Sequence, residues 1–281
     1  MSLVINTNVA SLNAQRSLSA SGAELRTAME RLSSGKQINS ASDDAAGFAI
    51  AERMTAQIRG LNMAAKNAGD GLSMLSTIEN ATNDVTDMLQ RVRELAVQAV
   101  NDTNSTEDRG YLQAEVTQLV AEIDRVAADT QYNGRNVFVD FVGTGSGESA
   151  VAGGKIQVGT EANQTIDFTI DSISSTALGV NSIDVSTGAG ATSALSLVDV
   201  AIEKVACKRA EYGAVQNRLE YSVSNLLNVA EFTTAARSRI EDADFAAESA
   251  RLSKAQVLQQ SGTAMLAQAN ASQQLALSLF R

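Results

Sequence analysis

The sequence predicts a mainly α fold: a long antiparallel coiled-coil rod of helices with a small β region, plus a pair of terminal helices. Three observations predict it. Apolar and small residues recur at alternating steps of four and three over two long stretches near opposite ends of the chain. Proline is absent from all 281 residues, so nothing in those stretches forces a break. Aromatic residues make up only 4% of the chain, and tryptophan is missing. That leaves few bulky groups for a thick core but suits narrow seams of Leu, Val and Ala.

Residues 3–33 carry Leu18, Leu25 and Leu32 at heptad spacing, with Met29 between the last two. Ser33-Ser34-Gly35 supplies a stop. Residues 36–42 are polar and aperiodic and read as a linker. Asp43-Asp44 opens the first long helix, since acidic groups suit a helix N-terminus. Its seam runs Met54, Ile58, Leu61, Ala65, Ala68, Leu72, Leu75, slips near Glu79, and resumes at Thr82, Val85, Leu89, Val92, Ala96 and Ala99. At 1.5 Å per residue such a helix is about 85 Å long and needs an equally long partner.

A polar turn at 101–106 leads to a helix over about 106–130, with Leu112, Val116, Leu119, Ile123 and Val126 in the same rhythm. Asn133-Gly134 marks a tight turn. The period then changes. A small β region is expected within about 136–185, from the apolar run at Val137–Val142 and the alternation at Ile156–Val158 and Ile166–Ile170, joined by a turn over Gly159–Gln164. A short Ser/Thr/Gly/Ala loop, 186–194, follows. The second long helix, 195–240, steps from Val198 through Tyr212, Leu219 and Leu226 to Ile240 and is the partner of the first. After a polar gap at Glu241–Asp244, a last helix places Leu258, Met265 and Leu279 on a sevenfold seam, with Ser272 filling the remaining place.

The layout is a palindrome, so the two chain ends meet. Residues 1–42 with 241–281 form one part, and 43–240 the other. Each terminal seam is thin, and alanine dominates its flanks. An isolated pair of this kind is marginal. The expectation is that both ends are largely disordered in the monomer and pack against other copies on assembly.

Net charge is −10, with no basic stripe to neutralise phosphates, which argues against nucleic acid. The absence of histidine excludes a histidine general base, a catalytic triad or a His-based zinc site. Asp43-Asp44 and Asp242/Asp244 read as helix-start or solvated charges, and no glycine cluster has P-loop spacing. No metal, cofactor or catalytic residue is expected. The N-terminus lacks a Sec-type leader pattern, and no apolar run approaches a membrane span. Cys207, the single cysteine, falls at the outermost heptad position and is expected to be exposed.

Several blocks resemble bacterial flagellin: Val4-Ile5-Asn6-Thr7-Asn8, Arg31-Leu32-Ser33-Ser34-Gly35, Ile38-Asn39-Ser40-Ala41, Asp43-Asp44-Ala45-Ala46-Gly47, the run Leu89–Gln98, Gly213–Leu219 and Ala267-Gln268-Ala269-Asn270. The resemblance covers about 1–135 and 195–281. It implies a filament subunit in which 1–42 with 241–281 are inner filament-core helices, and 43–240 is a surrounding rod domain. With only 186–194 where the family inserts outer domains, it implies a minimal form. It further implies a homo-oligomeric helical filament for motility, located outside the cell on the flagellum. The implied partners are flagellar cap and hook-associated proteins, an export chaperone and the flagellar type III export apparatus.

Arg91 and Leu95 share a helix face, and Glu115 on the next helix is within reach of it. From residues alone this is a salt-bridged surface with an exposed leucine. The resemblance implies that Gln90, Arg91, Leu95, Gln98 and Glu115 form a subunit interface that Toll-like receptor 5 recognises on the free monomer. By their heptad spacing Leu18, Leu25, Leu32, Leu258, Met265 and Leu279 are the expected assembly seams. The alternatives are a hook–filament junction protein and a monomeric secreted coiled-coil binding protein; an enzyme fits least.

Overall fold

The computed structural model describes residues 7–141 and 154–278, with side chains described as far as 272. Leu279 and Val142 lie outside these ranges, as do residues 143–153 with their glycines. The described residues form seven helices, α1 (Val9–Ser34), α2 (Ala45–Val100), α3 (Thr106–Asp129), α4 (Val137–Asp140), α5 (Ser175–Leu178), α6 (Gly188–Glu241) and α7 (Phe245–Ser278). Two antiparallel hairpins complete them: β1 (Gln131–Tyr132) with β2 (Arg135–Asn136), and β3 (Gly154–Gln157) with β4 (Thr165–Phe168). Two compact units result, one of residues 59–230 and one of 1–58 with 231–281.

In the unit of residues 59–230, α2, α3 and α6 enclose the main core, and Leu61, Ala64, Leu226 and Ala230 form a smaller one. Leu75, Ile78, Val85, Leu89 and Val92 of α2 are fully buried with Val116 and Ile123 of α3 and Val198, Tyr212 and Leu219 of α6. Cross-links between α2 and α6 set them antiparallel: Arg93 Nε donates to Asp199 at 2.6 Å, and Gln216 donates to Glu79 at 3.1 Å. Glu79 breaks the apolar rhythm because it meets a polar partner on α6; Ile78 and Thr82 close the core around it. The helix α3 starts on a capping box, in which Ser105 and Asp108 each accept from the other's backbone N–H. Both central residues of the β1–β2 turn take positive φ, 52° at Asn133 and 75° at Gly134, which Asn-Gly tolerates.

The segment after β4 is a strap. Ile170, Ile173, Leu178, Val180, Ile183 and Val185 are all buried. Two polar side chains of α3 hold its backbone. Asp124 accepts from the Ser175 N–H and hydroxyl, both at 2.8 Å, and the Gln113 amide exchanges hydrogen bonds with Ile183 O and Val185 N–H.

Some local expectations are corrected. Val137–Asp140 is a helical turn instead of a strand. Asn136 caps it by accepting from Phe138 N–H, and adjacent Val137 and Phe138 are both buried while Val139, which a strand would place on the same face as Val137, is exposed. Residues 188–194 are not a loop but the first turns of α6, started by Thr187 and packed closely through buried Ala191 and Ala194. Composition suggested a loop there, but the small residues are what let the helix approach the core.

In the other unit, α1 and α7 form an antiparallel pair. The link 36–42 makes defined backbone contacts. Gly35, at φ 71°, ends α1. A short antiparallel bridge then joins the two connections: Gln37 N–H donates to Glu241 O at 2.7 Å and Ala243 N–H to Gly35 O at 2.9 Å, with Lys36 Nζ 2.6 Å from Glu241. Asp43 accepts from the Asn39 and Ser40 N–H groups, and Asp44 caps α2 through Ala46 and Gly47. The Ser40 and Asn39 N–H groups hold the Asp43 carboxyl below the usual range.

Candidate functional site

The surface around Arg91 is built by α2 and α3. The Arg91 guanidinium meets Glu115 at 2.9 Å through Nε and Nη2, and Glu94 at 3.0 Å through Nη1. Hydrogen bonds to Glu94 and then Glu115 hold Arg91 more firmly protonated than a free arginine. Gln90 and Gln98 are exposed alongside, and the Gln98 carbonyl accepts from Asn104. So the structure brings Arg91 and Glu115 together, as their spacing and the antiparallel turn suggest.

Leu95 does not join them. It is 1% exposed and belongs to the core. The expected exposed leucine is wrong because α2 packs on two helices at once, and a helix with two partners buries a stripe wider than one heptad seam. The exposed apolar residue in that turn is Val97.

The terminal pair presents a second surface. On α1, Leu18, Leu25 and Leu32 are half-buried on the seam, as expected, between buried Ser11, Ser21 and Ala28. On α7 the register differs from the expected one. Glu248, Leu252, Ala255, Gln259, Gly262, Leu266 and Ala269 turn inward, while Leu258 is 44% and Met265 63% exposed. A methyl group added at Gly262 would come within 3.3 Å of Leu18 Cδ1. The α1 leucines need small residues opposite, so the large α7 residues at heptad spacing face outward, where Val257 also lies. Val9, Leu12 and Met29 on α1 and Phe245 on α7 add to this exposed apolar surface.

Sequence reasoning missed Glu248. It is 5% exposed, accepts from Arg251 at 3.2 Å and stands 3.9 Å from Arg31. Its signal was its place on the same heptad line as Ala255 and Gly262. Cys207 is exposed, as its heptad position predicts.

Comparison with known proteins fits this arrangement. Residues 5–142 match the bacterial flagellin N-terminal helical region and residues 195–280 the bacterial flagellin C-terminal helical region. The flagellar filament 33 kDa core protein of Treponema phagedenis is 43% identical over 286 aligned positions, covering 99% of this chain and all of that protein. A flagellin of Halalkalibacterium halodurans is 40% identical with the same coverage. Flagellin A of Vibrio anguillarum is 35% identical over an alignment of 379 positions that covers both chains completely, so the Vibrio protein carries extra sequence that this compact chain lacks. The matches at both ends, the helical pairing of those ends and the short middle place the chain in the bacterial flagellin family, in a minimal form without a large variable domain.

Proposed function

We propose that this chain is the structural subunit of a bacterial flagellar filament and has no enzymatic role. The observation that carries the reading is the terminal pair. It has two helices whose seam sets the α1 leucines mainly against small and polar residues of α7, and it leaves Val9, Leu12, Met29, Phe245, Val257, Leu258 and Met265 exposed on its outer faces. A monomer gains nothing from that much exposed apolar surface, whereas neighbouring copies bury it. In the filament 1–42 with 241–281 form the inner core and 43–240 the surrounding domain. Assembly takes place outside the cell, after export by the flagellar type III apparatus with its chaperone, and at the growing end it involves cap and hook-associated proteins. Negative-stain electron microscopy of purified chain after salt-seeded assembly tests this: long helical filaments are expected, and persistent monomers would reject it.

A second reading concerns the free monomer. The exposed Arg91–Glu115 surface with Gln90 and Gln98 is offered as the patch that Toll-like receptor 5 recognises, with Arg91 as the anchor and Leu95 contributing only through the fold. Support comes from the juxtaposition of Arg91 and Glu115 across two helices and from the ease with which a half-exposed arginine changes partner. A reporter-cell dose curve unchanged by Arg91→Ala would remove it.

A further inference from the structure

The α1–α7 seam is degenerate. The contacts of Leu18 with Gly262 and of Arg31 with Glu248 set its alignment, and extending both helices by heptads stands Leu25 level with Ala255 and Leu32 with Glu248. Slide α1 by one heptad, about 10.5 Å, and Leu18, Leu25 and Leu32 stand level with Ala269, Gly262 and Ala255, an apolar fit as good as the observed one. Slide it the other way and Leu18 stands level with Ala255 but Leu25 with Glu248 and Leu32 with Glu241, so large-into-small packing disfavours that register. It does not choose between the observed register and the first slipped one. The connection 35–44 has length enough to follow such a shift once its bridge to 241–243 opens.

Polar groups do choose. Glu248 is the only carboxylate side chain of α7, and it sits in the seam with 7% of its side chain exposed. Arg31, 19% exposed, faces it, and Arg31 Nε has no hydrogen-bond partner among the described residues. In one slipped register Arg31 stands level with Ala255 and meets no α7 carboxylate. In the other, the place of Arg31 opposite Glu248 is taken by Glu24, one heptad earlier. We infer that Glu248, held between Arg31 and Arg251, is the register lock of the terminal helix pair. It makes the observed alignment the one heptad-spaced arrangement in which the buried charges are matched. A polymer whose inner surface is built from this pair needs every copy in one register, because a heptad slip displaces the outward apolar residues of α1 relative to those of α7.

Cysteine cross-linking of the full-length chain in a Cys207→Ser background tests the lock. Gln259→Cys is combined with Ser21→Cys to report the observed register, and with Ala28→Cys or Ala14→Cys to report the two slipped ones, since a disulfide needs Cα atoms within about 7 Å. Without further change, only the Ser21→Cys combination is expected to oxidise efficiently. Adding Glu248→Ala is expected to raise the slipped products about tenfold or more. Because that variant leaves Arg31 buried without its partner and risks unfolding the pair, Arg31→Leu with Glu248→Leu is run beside it. This double variant keeps an apolar seam, is expected to retain parental helix content by circular dichroism, and is expected to show a rise in slipped products too. Cross-linking confined to the Ser21→Cys combination in the double variant overturns the lock and assigns the register to the bridge between 35–37 and 241–243 instead.

Discussion

Replacing Leu95 with alanine separates a core role from a surface role. Leu95 is 1% exposed, so its side chain carries the full transfer term. Three carbon groups at about 0.8 kcal/mol each amount to about 2.4 kcal/mol. Leu95 shares its core with Val92, Ala96, Ala99 and Val116 on long helices that cannot collapse into a gap, which adds a cavity cost, for a total of about 3–4 kcal/mol. In a unit of this size that lowers the thermal midpoint by about 10 °C. Arg91→Ala removes two solvent-exposed ion pairs and leaves the midpoint in place. Thermal melts of both variants followed by circular dichroism at 222 nm, with urea titrations beside them, make the comparison. A Leu95→Ala midpoint within about 2 °C of the parent would refute the placement of Leu95 in the core. With that result in hand, receptor signalling reads cleanly: loss in Arg91→Ala at unchanged stability reports a contact, and loss in Leu95→Ala reports a weakened fold.

Cys207 is expected to react with a maleimide in the native monomer at close to the rate of a free thiol, because its side chain faces solvent; reaction only after denaturation would place α6 in another register. Asp108 has its carboxyl held below the ordinary value by the Ser105 hydroxyl and N–H. Its stabilising effect is therefore complete above the unfolded value of about 3.9 and is lost as pH falls through the lower folded value. Asp108→Asn is expected to flatten the acid limb of the melting curve, and an unchanged slope between about pH 4 and pH 2 counts against the cap. Truncation of 246–281 is expected to leave the 59–230 unit melting cooperatively while abolishing filaments, and filaments seen by electron microscopy would move the assembly device elsewhere.

The heptad rhythm alone determined the long helices. Val198, Val205, Tyr212, Leu219 and Leu226 are buried at the spacing the sequence shows, and Asn133-Gly134 and Gly159–Gln164 turn where turn chemistry places them. Periodicity is visible there because each buried position is filled by a residue whose hydropathy reports its burial. Tertiary structure decided the rest, wherever hydropathy and burial part. Leu95 is buried because α2 has two partners, a fact no single seam encodes. Gly262 and Ala255 line the α7 seam because leucines of α1 stand opposite, so the larger Leu258 and Met265 are turned outward. Glu248 is buried because Arg31, far away in sequence, arrives beside it. The residues 188–194 are helical because small side chains meet a close neighbour, which composition by itself cannot distinguish from a loop.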